Sequence, residues 1–207
     1  MSQHGVIKAI VFDFGGVISF NENHGPFKTI CSILNVSREQ FEEVYFKHNH
    51  LSNVENLPWK VVVLKVASVF NPGQEKLDQI STLLDSNEAN QRINIDLLKI
   101  FPAIRRQGLK VAIFSNATSE LREKLVSLGI AELVDEIVVS GEIGFQKPHK
   151  EAFDVLFETL GVKAEEVIFI DDSVKGLEES DEIGYIPILF KDNEKLIKVL
   201  KSLGINI

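Results

Sequence analysis

The chain has one cysteine, one tryptophan, one methionine and two tyrosines in 207 residues. A single Cys31 rules out an intrachain disulfide and any metal site built on several thiolates, and it fits a reducing compartment. Positive charge is also scarce: 22 Lys and Arg face 30 Asp and Glu, a formal net charge of -8. No basic run interrupts that balance, so nucleic acid and anionic membranes, which it would repel, are poor partners. A small anionic substrate stays compatible if local groups reverse the field inside one cleft. No apolar run approaches the roughly 20 residues a membrane span needs, and Val61-Val62-Val63-Leu64 ends at Lys65. The start, Met1-Ser2-Gln3-His4-Gly5, is polar and lacks the apolar stretch of a secretion signal, so a soluble cytoplasmic protein is expected.

What is present is a set of short apolar runs rich in Val, Ile and Phe. Val6 to Phe12, Leu109 to Phe114, Glu136 to Val139, Val167 to Ile170 and Ile186 to Phe190 read as strands buried on both faces. Helical patterns lie between the later ones: Ser119 to Leu128, Lys150 to Leu160 before Gly161, and Leu177 to Ile183 before Gly184. This alternation predicts an α/β fold, a three-layer doubly wound parallel sheet. Residues 21–91 break the rhythm, with no convincing strand where a βα loop is usually about two to six residues. Ser37-Arg38-Glu39-Gln40 is a capping box, Pro58 can start a helix carrying Val62, Val63, Val66 and Phe70, and Leu77, Ile80 and Leu84 recur at helical spacing. The expectation is a core from 1–20 and 92–207, with 21–91 a helical insertion over the carboxyl edge of the sheet, where open α/β sheets bind ligands.

Polar residues cluster where the strands end. Asp13 follows the first, Ser115 and Asn116 the second, and Asp171-Asp172 the fourth, while Lys147 sits in a loop ahead of a helix. Phosphoryl transfer through an aspartyl phosphate uses such a set. A carboxylate attacks phosphorus in line, and the meeting of two anions requires positive charge close by. Mg²⁺ suits a site of few carboxylates, with Asp13, one of Asp171 and Asp172, and a main-chain carbonyl near Gly15 as ligands. Lys147 would be a second cation, and Ser115 and Asn116 would bind the transferring oxygens. Singly, each feature has a plainer meaning as a turn former, helix cap or solvated loop. Their joint order along the chain is what points to chemistry.

With those residues in place, the chain resembles the haloacid dehalogenase superfamily over essentially its whole length. "VFDFGGVI" resembles the first motif, "VAIFSNA" the second, "GFQKPHKEAF" the third and "VIFIDDSVKGLEESDEIG" the fourth. The helical insertion resembles the small cap of one large branch. The resemblance implies a Mg²⁺-dependent phosphatase with Asp13 as nucleophile and metal ligand and Lys147 steadying the charges. It also implies phosphate held by Ser115 with Asn116 and Gly16, and metal held by the Gly15 carbonyl, Asp171 and Asp172, with Asp172 favoured as the direct ligand.

One more absence is local. Where most phosphatases of this superfamily carry a second Asp in motif one, this chain has Gly15, so the usual proton shuttle, worth about 10²–10⁴-fold, is missing. Three readings fit: a phosphatase for a small phosphorylated metabolite, including sugar phosphates with a good leaving group; a 2-haloacid dehalogenase; or a phospho-ligand or protein binder without catalysis. His48 or His50 in the insertion would be a substitute acid, against the plainer meaning of exposed loop histidines. Trp59 reads as packing, His149 as a surface residue and Cys31 as a buried apolar side chain. A monomer and a homodimer both remain open.

Overall fold

The computed structural model describes residues 6–21, 25–89 and 91–207. The polar start Met1–Gly5 lies outside the described residues, as do residues 22–24 and 90 of the insertion. Among the described residues there are seven strands: β1 (Ala9–Phe12), β2 (Ser19–Asn21), β3 (Gln91–Ile93), β4 (Lys110–Ser115), β5 (Glu136–Val139), β6 (Val167–Asp171) and β7 (Ile186–Leu189). Five form a parallel sheet in the order β5-β4-β1-β6-β7. The expected α/β fold is therefore observed, and every strand expected for the main sheet is in it.

Alternation along the central strands explains the layers. Ile10, Phe12, Val111, Ile113, Ile168 and Ile170 belong to one apolar cluster, while Ala9, Val11, Ala112, Phe114, Val167 and Phe169 belong to a second on the other face. Strands this apolar on both faces need helices on both sides. The first cluster takes in Leu97 of α6 (Ile95–Leu98), Phe101 and Ile104 of α7 (Phe101–Arg105), Leu121 and Leu125 of α8 (Glu120–Ser127), and Leu196 and Leu200 of α12 (Asn193–Ser202). The second takes in Phe153, Leu156 and Leu160 of α10 (Lys150–Leu160), which stops at Gly161 with φ +62°. The predicted helix from Leu177 to Ile183 is instead a 3₁₀ turn at Lys175–Leu177 and a short α11 (Ser180–Ile183).

The insertion is helical, as its periodicity implies: α1 (Phe27–Leu34), α2 (Arg38–His48), α3 (His50–Asn53), α4 (Trp59–Ser68) and α5 (Gln74–Ala89). The Ser37–Gln40 capping box opens α2 with both reciprocal bonds made. These helices share an apolar cluster of their own, including Ile30, Phe41, Val63, Val66, Ile80 and Leu84. The chain leaves and re-enters the core through an antiparallel ribbon, Ser19 to Asn21 against Gln91 to Ile93, which the sequence pattern did not predict. Each strand is only three residues long, too short for a period to show. Among the described residues no helix is long and apolar enough to cross a membrane.

Candidate active site

Strands β1 and β6 are neighbours at the middle of the sheet, and from them the connections run outward in opposite directions. That switch point opens a crevice beyond the carboxyl ends of the strands, and Asp13, Ser115 and Asp171 stand on its rim. Lys147 arrives from the loop after α9 (Ser140–Ile143). Its ammonium lies 3.1 Å from Asp13 Oδ1 and 2.7 Å from Asp171 Oδ2, with the Lys147 side chain only 3% exposed. It also rests over the rings of Phe114 and Phe169, at 5.4 and 4.8 Å from their centroids. A lysine buried to this degree needs such partners, because isolated burial would discharge it. Burial presses its pKa down, but Asp13 and Asp171 outweigh that, and the net direction is upward.

The carboxylates behave differently from one another. Asp13 Oδ1 accepts from the main-chain N–H of Phe14 at 2.7 Å as well as from Lys147, and the other oxygen carries neither bond. Burial, reinforced by Asp171 and opposed by Lys147, raises Asp13 to about 6. Asp171 is held on both oxygens, by Lys147 on Oδ2 and by the main-chain N–H of Ser173 on Oδ1 at 2.8 Å. Asp172 is raised too, by burial and then by Asp171. Oxygens of Asp13, Asp171 and Asp172 lie within 4.8 Å of one another. Three carboxylates and one ammonium leave two negative charges uncompensated when all are ionised. A divalent cation on oxygen ligands is what that deficit fits, with Asp172 the acid least engaged by the protein.

Glycines let the acids converge. Gly16 has φ +72°, and a Cβ there would lie 2.1 Å from Asp172 Oδ2. A Cβ on Gly176 would lie 2.6 Å from Asp171 Oδ2. The Gly16 N–H donates to the Ser19 carbonyl at 2.8 Å, so this glycine serves the site through the side chain it lacks. Gly15 is different: a Cβ there meets nothing within 4 Å. Asn116, expected to bind the transferring group, turns its side-chain amide to the Lys147 backbone. It accepts from the Lys147 N–H at 2.8 Å and donates to the Lys147 carbonyl at 2.9 Å. Ser115 is buried at the end of β4, and its hydroxyl helps to steady the charge on Asp13.

A cavity of about 600 Å³ separates these loops from the inserted helices. Phe14, Gly15 and Ser115 to Thr118 line its floor, and Tyr45, Trp59 and Leu84 stand opposite. Neither His48 nor His50 lines it: His48 Nδ1 lies 2.8 Å from the Val44 carbonyl, and His50 faces Glu55 at 3.7 Å. Three contacts bind the insertion to the site loops. Asn53 donates to Gln146 Oε1 at 3.0 Å, Asn56 pairs with Ser119, and Lys175 lies over the Phe46 ring at 4.9 Å. None of these, nor the ring platform beneath Lys147, nor Gly176, was anticipated. Only Gly176 left a trace in the sequence, five residues after the acid it admits.

A haloacid dehalogenase-like hydrolase family model matches residues 7–179, and the chain belongs to this family. Among curated relatives, glyceraldehyde 3-phosphate phosphatase of Methanocaldococcus jannaschii is 33% identical over 93 residues, 44% of this chain and 41% of that protein. Phosphoserine phosphatase of Thermus thermophilus is 37% identical over 70 residues, 33% of this chain and 28% of that one. The chain thus spans under half the length of these relatives. Among solved structures, a predicted HAD-like family hydrolase from Porphyromonas gingivalis superposes with a TM-score of 0.70 at 16% identity, covering 98% of this chain and 100% of that one. A HAD family enzyme of Bacteroides thetaiotaomicron in complex with magnesium and inorganic phosphate gives 0.65 at 18% identity, covering 92% and 98%. At these identities the structures establish a shared fold.

Proposed function

We propose that the protein is a Mg²⁺-dependent phosphatase for a small phosphorylated metabolite, a sugar phosphate among the candidates, working through an aspartyl phosphate on Asp13. The observation that carries this is the bridge formed by Lys147, an ammonium buried between Asp13 and Asp171. Residues 1–20 and 92–207 act as the catalytic core and 21–91 as a cap, and the place of action is the cytoplasm. Asp13, Asp172, the Gly15 carbonyl and Asp171 would hold Mg²⁺, with Asp172 in direct contact. When bound, the ion supplies charge neutralisation at the transferring phosphoryl group.

Asp13 attacks phosphorus with the oxygen that neither Phe14 nor Lys147 engages. The new O–P bond forms as the ester P–O bond breaks, and the alkoxide leaves with the electron pair. Lys147 holds Asp13 in its ionised form and faces the growing charge. The Ser115 hydroxyl and the Asn116 main-chain N–H donate to the phosphoryl oxygens, while the Asn116 side chain fixes the Lys147 backbone. Water then attacks phosphorus and returns Asp13 as a carboxylate, releasing phosphate. Residue 15 carries no acid, so the leaving alkoxide draws its proton from water, and esters of more acidic alcohols react faster. The acid cluster favours this reading over haloacid dehalogenation, which the superfamily carries out without Mg²⁺. Turnover of a phosphate ester panel by wild type and Asp13→Asn, each with Mg²⁺ or EDTA, tests it. The reading requires turnover by wild type with Mg²⁺ alone. Dehalogenation of 2-chloropropionate surviving EDTA would overturn it.

A further inference from the structure

The cavity above the site carries information on the substrate that the catalytic loops do not. Its cap side holds Trp59 and Tyr45, braced together: the indole N–H donates to the Tyr45 hydroxyl at 3.0 Å. Phe27 steadies both, stacked on Trp59 at 6.3 Å and edge-on to Tyr45 at 4.8 Å. Because the phenol oxygen accepts from Trp59, its own hydrogen is directed elsewhere, and burial pushes the Tyr45 pKa up so that it remains a donor. Phe14, Leu84 and Leu121 extend the apolar lining.

Charge is the second observation. Among the described residues, the ionisable ones lining the cavity are Lys60, Lys124, Asp85 and Glu120 besides Tyr45, and their formal charges cancel. Lys60 is already paired with Asp85 at 2.6 Å, both partly exposed at the rim. A second phosphate or a carboxylate on the substrate would lose hydration here without gaining a cation of its own. The volume, about 600 Å³, falls within the range that encloses a ring-sized ligand.

Resting on the phosphatase reading above, we propose that this cavity selects phosphate monoesters whose alcohol is a neutral ring. The ring lies against the Tyr45–Trp59 wall and esters bearing a second anionic group are turned away. Tyr45 donates to a ring hydroxyl where the alcohol has one, and Trp59 supplies the apolar face.

Trp59 is the only tryptophan in the chain, so its fluorescence reports on this cavity without any turnover. Asp13→Asn protein is titrated with phenyl phosphate, glucose 6-phosphate, phosphoglycolate and fructose 1,6-bisphosphate, and wild-type turnover of the same four is measured with Mg²⁺. The first two are expected to bind, by Trp59 emission, at least about tenfold more tightly than the last two, with the same order in kcat/KM. Tyr45→Phe is expected to lower kcat/KM about tenfold for glucose 6-phosphate and under about twofold for phenyl phosphate, a split that loss of packing would not produce. Tighter binding of phosphoglycolate or the bisphosphate, or equal losses on both esters in Tyr45→Phe, overturns the inference. If no ester is turned over but Trp59 still ranks the ligands as stated, the phosphatase reading falls and the pocket stands. If the bisphosphate is the best substrate, the pocket inference falls and the phosphatase reading stands.

Discussion

Two adjacent glycines do opposite things at the head of this site. Gly16 is needed: with φ +72° and the Asp172 carboxylate where a Cβ would be, Gly16→Ala must displace the acid or the turn. This variant should bind Mg²⁺ at least about tenfold more weakly by calorimetry, since it displaces the carboxylate proposed above to contact the ion. Gly15 is open space. Gly15→Asp should therefore fold normally and raise kcat on alkyl phosphates, toward the 10²–10⁴-fold or so that a positioned general acid supplies, with little gain on aryl phosphates whose leaving groups need no proton. Unchanged alkyl phosphate rates would mean that protonation is not the limiting step. Asp13 adds a pH effect in the metal-free protein. Burial raises it from 3.8 to about 6, so between those values the folded state binds more protons than the unfolded one. Its contribution is fully present below 3.8 and fades as pH rises through about 6. In EDTA, wild type should lose more melting temperature than Asp13→Asn does between pH 4.5 and 7, the difference isolating this one group.

At the scale of elements, the loop between α3 and α4 is one place where the insertion grips the core. Asn56 sits there with φ +60°, a conformation Asn tolerates better than most residues. Its side chain accepts from the Ser119 N–H at 2.7 Å and donates to the Ser119 hydroxyl at 2.9 Å, just ahead of α8. Gly141 makes room, since a Cβ there would lie 2.7 Å from Asn56 Oδ1. Asn56→Ala deletes both bonds and should speed hydrogen exchange of the Ser119 amide by more than about tenfold, while core amides in β1 and β6 hold their protection. Equal protection of Ser119 in both proteins would show that the contact does not hold the insertion down.

For the molecule as a whole, the sheet and the site share side chains. Phe153 of α10 is fully buried and packs on Phe114, Phe169 and Tyr185 at 5.3, 5.4 and 4.7 Å. Phe114 and Phe169 are the rings beneath Lys147. Phe153→Ala should cost about 3–5 kcal/mol of stability in urea unfolding, the usual cost of an emptied aromatic site in a core. It should also lower kcat below wild type at temperatures where the variant is still folded, because the platform under the ammonium loses its backing.

The inner strands of the main sheet were legible because a strand covered on both faces is apolar along nearly its whole length, a local pattern that needs no knowledge of its neighbours. By contrast β7, expected to be buried on both faces, is an edge strand with Pro187 exposed. Asp13, Asp171 and Asp172 were legible for the same reason as the inner strands, each standing at the end of such a run, whereas Lys147 stands in a loop ahead of a helix and was legible through its Lys-Pro motif. The sequence by itself thus determined the α/β fold, the acids at the strand ends and the lysine of the loop ahead of α10. Only the tertiary structure decided how those residues divide their work. It sent the Asn116 amide to Lys147, engaged both Asp171 oxygens and left Asp172 open. It also kept both histidines of the insertion away from the cavity and set Tyr45 and Trp59 there. Those outcomes depend on distances between residues far apart in the chain, which no local periodicity encodes.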